Sequence, residues 1–183
     1  MSPIHPTEKK FEDHIEKSLI QSGYDSIDST LYDKSLCLIS TKLLDFIKST
    51  QEKTYQKLEQ QYGTETDTKL LKRVSSEIDN RGVIDVLRNG VKDRGCHFHL
   101  VYFEPKSGLN VEHQELFKQN QFSLVRQLMY SKQNEKKSID IGIFINGIPI
   151  VMLELKNSLT GQTHLDGIKQ WKQDRDPKEP LFR

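Results

Sequence analysis

The sequence SIDIGIFINGIPIVMLELK, residues 138–156, contains two apolar segments separated by Asn146-Gly147. Their isoleucine and valine content predicts strands over 138–145 and 148–156, and Asn-Gly is typical of the tight turn in a β-hairpin. Because nearly every position is apolar, the strands should be covered by helices on both faces. The hairpin therefore predicts an α/β fold, a mixed β-sheet flanked by helices.

Three charged residues interrupt these apolar strands: Asp140, Glu154 and Lys156. Buried charges are costly unless they are paired or bound to a metal, and two neighbouring carboxylates favour a divalent cation such as Mg²⁺ or Mn²⁺. In a strand, Lys156 projects from the same face as Glu154 and could reach a water beside that cation. The three residues are candidate catalytic residues of a hydrolase, and a structural ion pair is the alternative.

The register of the hairpin tests this hypothesis. A regular two-residue loop would place Asp140 opposite Leu153, on the face away from Glu154. A three-residue loop with Gly147 left-handed, or one β-bulge, would bring Asp140, Glu154 and Lys156 to one face. We predict the shifted register.

The rest of the chain predicts a single domain spanning 1–183. Residues 1–94 should be mainly helical, with helices over 7–22, 40–62 and 67–89 that glycines punctuate. Further strands are expected over 96–103 and 122–130, then a helix that Thr163 caps and that runs to about Arg175. Residues 95–175 would hold the catalytic sheet and its following helix, and residues 176–183 would begin a linker to further domains.

Other residues have weaker claims. On the first helix, Glu8 falls within the stripe of Phe11, Ile15 and Leu19, whereas Glu12 and Glu16 should turn toward solvent. Glu8 is either a metal-site residue or simply an acid favoured at a helix start.

Three further sets of residues have side chains of types that occur in functional sites. Gln170 and Trp171 could contact DNA or position the site, although a lone helical tryptophan usually belongs to the core. His97 and His99 are interpreted as structural. Cys37 and Cys96 are expected to be reduced thiols.

Composition excludes some classes and leaves others open. The net charge of +1 gives no general reason to expect nucleic acid, so DNA affinity would depend on two basic clusters, Lys132, Lys136 and Lys137, and Lys169, Lys172, Arg175 and Lys178. No segment is apolar enough to span a membrane, and the chain is expected to be cytoplasmic. Walker, Rossmann and Gly-x-Ser-x-Gly motifs do not occur.

The triple Asp140, Glu154-Leu155-Lys156 resembles the motif of PD-(D/E)xK nucleases, with isoleucine before the aspartate. Longer blocks resemble the N-terminal part of the restriction (R) subunit of type I restriction-modification enzymes. They are TEKKFEDHIE from Thr7, RGVIDVLRNGVKDRG from Arg81, VRQLMYS from Val125, LELKNSLTGQT from Leu153 and DRDPKEPLF from Asp174. The resemblance covers nearly the whole chain.

The resemblance implies a Mg²⁺-dependent endonuclease acting on double-stranded DNA. It also implies a longer subunit, whose motor domains use ATP to translocate DNA and whose helical region docks on the modification and specificity subunits. Asp140, Glu154, the Leu155 carbonyl and Glu8 would hold one or two Mg²⁺ ions, while Lys156 acts on the attacking water.

Relatives often carry a Gln-x-x-x-Tyr signature on the helix after the lysine. Here Trp171 is the candidate aromatic, Gly167 lies four residues before it, and Gln170 and Gln162 are the candidate glutamines.

Two alternatives remain. The first is a non-catalytic DNA-binding or assembly module with the same fold, in which Lys156 pairs with Glu154 and Asp140 lies on another face. The second is a self-contained repair nuclease, which the Pro-Leu-Phe-Arg end disfavours.

Overall fold

The computed structural model describes residues 8–106, 110–132, 134, 137–156, 163–173 and 175–182, with the main chain only of Glu8. Its helices are α1 (Glu8–Gln21), α2 (Ser40–Thr50), α3 (Glu52–Tyr62), α4 (Thr66–Arg81), α5 (Val83–Asn89), α6 (Val111–Lys118) and α7 (His164–Gln173). Its strands are β1 (Asp25–Ile27), β2 (Val91–Asp93), β3 (Cys96–Phe98), β4 (Phe122–Met129), β5 (Ser138–Ile145) and β6 (Ile148–Leu153). Within these ranges, no helix is long and apolar enough to cross a membrane.

The main sheet has four strands in the order β1-β4-β5-β6. Strand β1 runs parallel to β4, and the other two pairings are antiparallel. The mixed sheet and the α/β class are therefore confirmed. Strands β2 and β3 form a separate two-stranded hairpin, so the region predicted as one strand over 96–103 contributes only Cys96–Phe98 and lies outside the main sheet.

The register of the central hairpin is shifted as predicted. Ile145 faces Ile148 across a two-residue loop, and Phe144 faces Pro149. Beyond that point Ile143 faces Val151, so one residue of β6 is left over as a β-bulge. The register therefore shifts through a β-bulge and not through a three-residue loop. Continued by one residue, this pairing places Asp140 opposite Glu154.

Apolar clusters lie on both faces of the sheet. One joins Leu124, Ile141 and Leu155 to Ile15 and Leu19 of α1. Another contains Val125, Phe144 and Tyr130, against which Trp171 of α7 and Phe182 pack. The largest cluster lies among α2 to α5 and the β2-β3 hairpin, and Ile148 connects it to the sheet.

Several element boundaries differ from the predicted ones. The stretch 40–62 forms two helices that break at Gln51, and the stretch 67–89 breaks at Gly82. Strand β1 and helix α6 were not predicted. Strand β1 has three residues, and its pairing partner is about a hundred residues away in sequence, so it has no local alternation to reveal it.

The hairpin tip is fixed by its own turn residues. Asn146 and Gly147 both have positive φ, 49° and 81°, as a type I′ turn requires. The Asn146 side chain is fully buried, and it accepts from the main chain of Gln121 while donating to the carbonyl of Leu100. The Gly147 carbonyl accepts from the Ile39 N–H at 2.8 Å, so the tip is joined to the start of α2.

We predict that Gly147→Ala destabilises the protein by about 2–4 kcal/mol. An added Cβ would lie 2.4 Å from the Ile39 carbonyl oxygen, at a position whose φ is already unfavourable for alanine. Gly95→Ala is the matched control, because Gly95 also has a positive φ, 75°, but has open space around it. Urea unfolding would measure both variants, and equal losses would contradict the steric argument.

Candidate active site

The Asp140 carboxylate lies against the main chain of the Glu154-Leu155-Lys156 tripeptide. Its Oδ2 atom accepts a hydrogen bond from the Leu155 N–H at 2.6 Å. Continuing the β5–β6 pairing by one residue places Asp140 opposite Glu154, and opposed residues of antiparallel strands share a face. The bulge therefore brings together the two carboxylates that the sequence analysis singled out.

Glu154 is enclosed by hydrogen-bond donors. Gln170 donates from Nε2 to Oε1 at 2.6 Å, and Arg175 donates from its NH2 group to Oε2 at 2.5 Å. The Glu154 side chain is only 6% exposed. Gln170, predicted as a supporting residue, thus contacts the carboxylate directly, whereas Gln162 lies outside the described residues.

Lys156 forms an ion pair with Glu154, with 3.4 Å between Nζ and Oε1. A pairing of this kind was expected of a purely structural network, which would also leave Asp140 on another face. The second half of that pattern is not found, because Asp140 meets the tripeptide through the Leu155 N–H. Asp140 therefore lies beside the tripeptide that carries Glu154 and Lys156.

A second group of charges connects α1 to β4. Arg126 donates to Glu12, Asp13 and Glu16 at 3.0, 2.6 and 2.8 Å. Partial burial disfavours the charged guanidinium, but the hydrogen bonds that Arg126 donates to these carboxylates outweigh it and raise the pKa of Arg126.

This contact corrects the predicted face of α1. Glu12 is buried at 6% exposure, while Phe11 is 43% exposed, so the prediction that Glu12 and Glu16 face solvent was wrong. The physical reason is Arg126, which supplies a charged partner on the sheet and makes an acidic face of the helix the favourable one. The Glu8 side chain, the residue predicted to face the sheet, lies outside the described part of the structure.

Gln127 links the two groups of charges. Its amide nitrogen donates to Glu12 Oε1 at 2.8 Å and lies 3.4 Å from Asp140 Oδ1, and its amide oxygen accepts from Ser138. Its φ is 46°, a left-handed conformation that is rare for a non-glycine residue inside a strand. Strained backbone of this kind is found where a side chain must be aimed at a functional site.

A cleft of about 330 Å³ opens beside Glu154 and Lys156. Its other walls come from α7, through His164, Gly167, Ile168 and Trp171. Thr163 caps this helix as predicted, since its hydroxyl accepts from the Leu165 N–H and Asp166 accepts from the Thr163 N–H. Gly167 stands where a Cβ would contact the Lys156 side chain, at 3.6 Å.

The other ionisable candidates lie away from this cleft. His97 contacts the Asn89 carbonyl at 2.8 Å and stacks on His99, beside a separate pocket. Cys37 and Cys96 are free thiols. Among the described residues, no group of three or more His, Cys, Asp or Glu side chains could hold a metal ion.

The comparisons with known proteins agree with the sequence blocks. The model of the type I restriction enzyme R protein N terminus matches residues 7–183. The chain belongs to this family. No match was found among curated proteins or among solved structures. The matched residues include the β5–β6 hairpin, the residues that line the cleft, and nearly all of this R-protein domain.

Sequence reasoning missed the roles of Glu12, Arg126 and Gln127, and it grouped Arg175 with surface cations although the structure buries it against Glu154. A signal existed for two of them: Arg126 is the one charge in the eight residues of β4, and Glu12 lies at helical spacing from Ile15, Glu16 and Leu19. Gln127 and Arg175 carry no such signal, because their roles depend on contacts that only the folded chain creates.

We predict that Arg126→Ala lowers the free energy of unfolding by about 3 kcal/mol, because buried Glu12 would lose its cationic partner. Adding Glu12→Gln should recover part of this loss, since the variant then buries no unpaired charge. Arg73→Ala, which removes a half-exposed arginine from α4 and leaves Glu77 paired with Arg81, should cost less than about 1 kcal/mol. Failure of the double variant to recover stability would contradict this assignment.

The pH dependence of stability should reflect Glu16. A hydrogen bond from Ser26, together with Arg126, holds the pKa of Glu16 below its usual value of 4.5. A lowered pKa contributes stability above the unfolded-state pKa that is lost as pH falls through the folded-state value. The stability difference between the parent and Glu16→Gln should therefore be largest near neutral pH and shrink below about pH 4.5. Urea unfolding across this range tests it, with the exposed Glu59→Gln as control.

Proposed function

We propose that this domain is the Mg²⁺-dependent endonuclease of a type I restriction enzyme R subunit. The observation that carries the proposal is the contact between Asp140 and the Leu155 N–H, which places the Asp140 carboxylate against the tripeptide whose Glu154 and Lys156 side chains line a cleft. Family membership supports the assignment to the R subunit, and with it double-stranded DNA as substrate and the modification and specificity subunits as partners.

The donor set fits magnesium. Two carboxylates, Asp140 and Glu154, and the Leu155 carbonyl supply oxygen ligands, and Mg²⁺ commonly uses one or two carboxylates with waters and substrate phosphates filling the rest. Bound there, Mg²⁺ would polarise the phosphodiester and stabilise the charge that develops on it.

The protein's own residues have distinct tasks in this proposal. The Leu155 N–H and the Gln127 amide orient Asp140, and Gln170 orients Glu154. Lys156, whose side chain is 15% exposed, faces the cleft and would orient the attacking water or assist its deprotonation. Lys169 and Lys172 on α7 are candidates for sequence-independent contacts with the DNA backbone.

A second candidate function is a non-catalytic DNA-binding or assembly module. The ion pair between Lys156 and Glu154 favours it, because a lysine that serves structure would be paired in this way. The two candidates differ in their need for a cation, so metal binding separates them.

We predict that the chain binds Mg²⁺ and that both Asp140→Ala and Glu154→Ala abolish binding, as measured by calorimetry. The reason is that each carboxylate supplies a ligand to the same cation. Asp45→Ala, which removes an exposed acid on α2, is the control and should bind as the parent does. Binding that survives in both site variants would leave the triple with a structural role only.

We predict that DNA cleavage depends on Lys156. In the assembled complex with ATP and plasmid DNA, Lys156→Ala should reduce nicking at least about a hundredfold, as expected when a group that handles the attacking water is removed. The matched control is Lys53→Ala, which removes an exposed lysine on α3 and should nick as the parent does. Unchanged nicking in Lys156→Ala would favour the non-catalytic module.

A further inference from the structure

Arg175 occupies a position that the proposed chemistry does not use. It follows α7, and its side chain is only 7% exposed. Its Nη1 atom donates to the Tyr130 hydroxyl at 2.8 Å and to the Ser138 carbonyl at 2.9 Å. Its Nη2 atom donates to Glu154. A buried arginine at this point places a full positive charge directly on a carboxylate that is a candidate metal ligand.

The donors on Glu154 leave it with no unoccupied oxygen. Gln170 and Lys156 take Oε1, and Arg175 takes Oε2. A divalent cation that approaches Glu154 meets the guanidinium at one oxygen and the ammonium at the other. Since like charges in a poorly solvated site repel strongly, the arginine and the cation cannot both hold this carboxylate in the arrangement seen here.

The hydrogen-bonding capacity of the Arg175 guanidinium is only partly used. Its Nε atom is buried and has no hydrogen-bond partner among the described residues. A buried donor without a partner weakens the state that contains it. Tyr130 and Trp171 rings flank the guanidinium at 5.1 and 5.7 Å, which adds a contact that is favourable but not strongly directional. The guanidinium is therefore held firmly enough to be ordered, yet it can be displaced.

We propose that Arg175 acts as a built-in substitute cation, which neutralises Glu154 in the metal-free protein and must leave that carboxylate when Mg²⁺ binds. It is a positioning residue that sets the metal affinity. This inference rests on the proposed metal site at Glu154. No covalent bond is made or broken in the exchange: Arg175 would give up its hydrogen bond to Glu154, and a contact between that carboxylate and Mg²⁺ would replace it.

The exchange should change the contacts of the segment that follows α7. Glu179 accepts from Ser131, and the Phe182 ring packs on Tyr130 and Trp171, with centroids 4.9 and 5.6 Å apart. Arg175 and Phe182 thus contact the same two aromatic side chains. Release of the guanidinium changes the surroundings of Trp171, which is the single tryptophan of the chain and therefore an unambiguous fluorescent reporter.

Calorimetry on the 183-residue chain tests the affinity. We expect Arg175→Gln to lower the Kd for Mg²⁺ by about tenfold or more, since it removes a unit charge in contact with the ligand. Arg73→Gln, which removes the same charge from α4, should leave the Kd unchanged. Tyr130→Phe keeps the ring and the arginine but deletes one anchor of the guanidinium, so it should lower the Kd by a few fold even if Arg175→Gln folds poorly.

Fluorescence supplies an independent readout in the unmodified chain. Titration with Mg²⁺ should change Trp171 emission with the Kd found by calorimetry, and Glu154→Gln should abolish this change. If the parent binds Mg²⁺ through Glu154 but its emission stays constant, or if neither Arg175→Gln nor Tyr130→Phe tightens binding, the exchange is refuted while the metal site stands. If no chain, Arg175→Gln included, binds Mg²⁺ through Glu154, the proposed metal site itself is refuted.

Discussion

The site depends on one extra residue in β6. Because the pairing shifts between Ile143 and Phe144, the strand reaches Glu154 with its parity reversed relative to a regular hairpin. Without that bulge Asp140 would oppose Leu153, and its carboxylate would lie on the face away from Glu154. The tip of the hairpin cannot compensate by sliding, since Asn146 and Gly147 are fixed to Gln121 and Ile39 by hydrogen bonds. The bulge and the anchored turn together determine where the carboxylates meet.

Each carboxylate is supported from a different part of the chain. Asp140 is reached from the side of α1, through Glu12 and Gln127, whereas Glu154 is held from the side of α7, through Gln170 and Arg175. Glu12 on α1 and Gln170 on α7 are more than a hundred residues apart in sequence. The geometry of the site is therefore a property of the complete fold, and a change in either helix should be transmitted to one carboxylate but not directly to the other.

The sequence predicted those features that local patterns specify. Apolar β-branched composition and the Asn-Gly turn identified the hairpin, and a simple parity argument required a shifted register, by a longer loop or by a bulge. The face of α1 was assigned wrongly, because an aromatic residue was given more weight than an acid whose partner, Arg126, lies 114 positions away. Arg175 stands at the predicted end of the last helix, in a mixed-charge stretch where the sequence suggests a surface cation, and only its burial against Tyr130 distinguishes it. Local periodicity cannot predict contacts between residues that are far apart in sequence, and these contacts determine both positions.

The balance of charge at the site connects these points to function. Asp140 and Glu154 carry two negative charges, and Lys156 and Arg175 carry two positive ones, so the metal-free arrangement is formally neutral. Adding a divalent cation leaves an excess of positive charge in a poorly solvated cleft, unless an arginine departs or anions arrive. DNA phosphates are such anions. If the proposed function holds, metal and DNA should therefore each increase the affinity for the other, because each offsets the charge that the other brings.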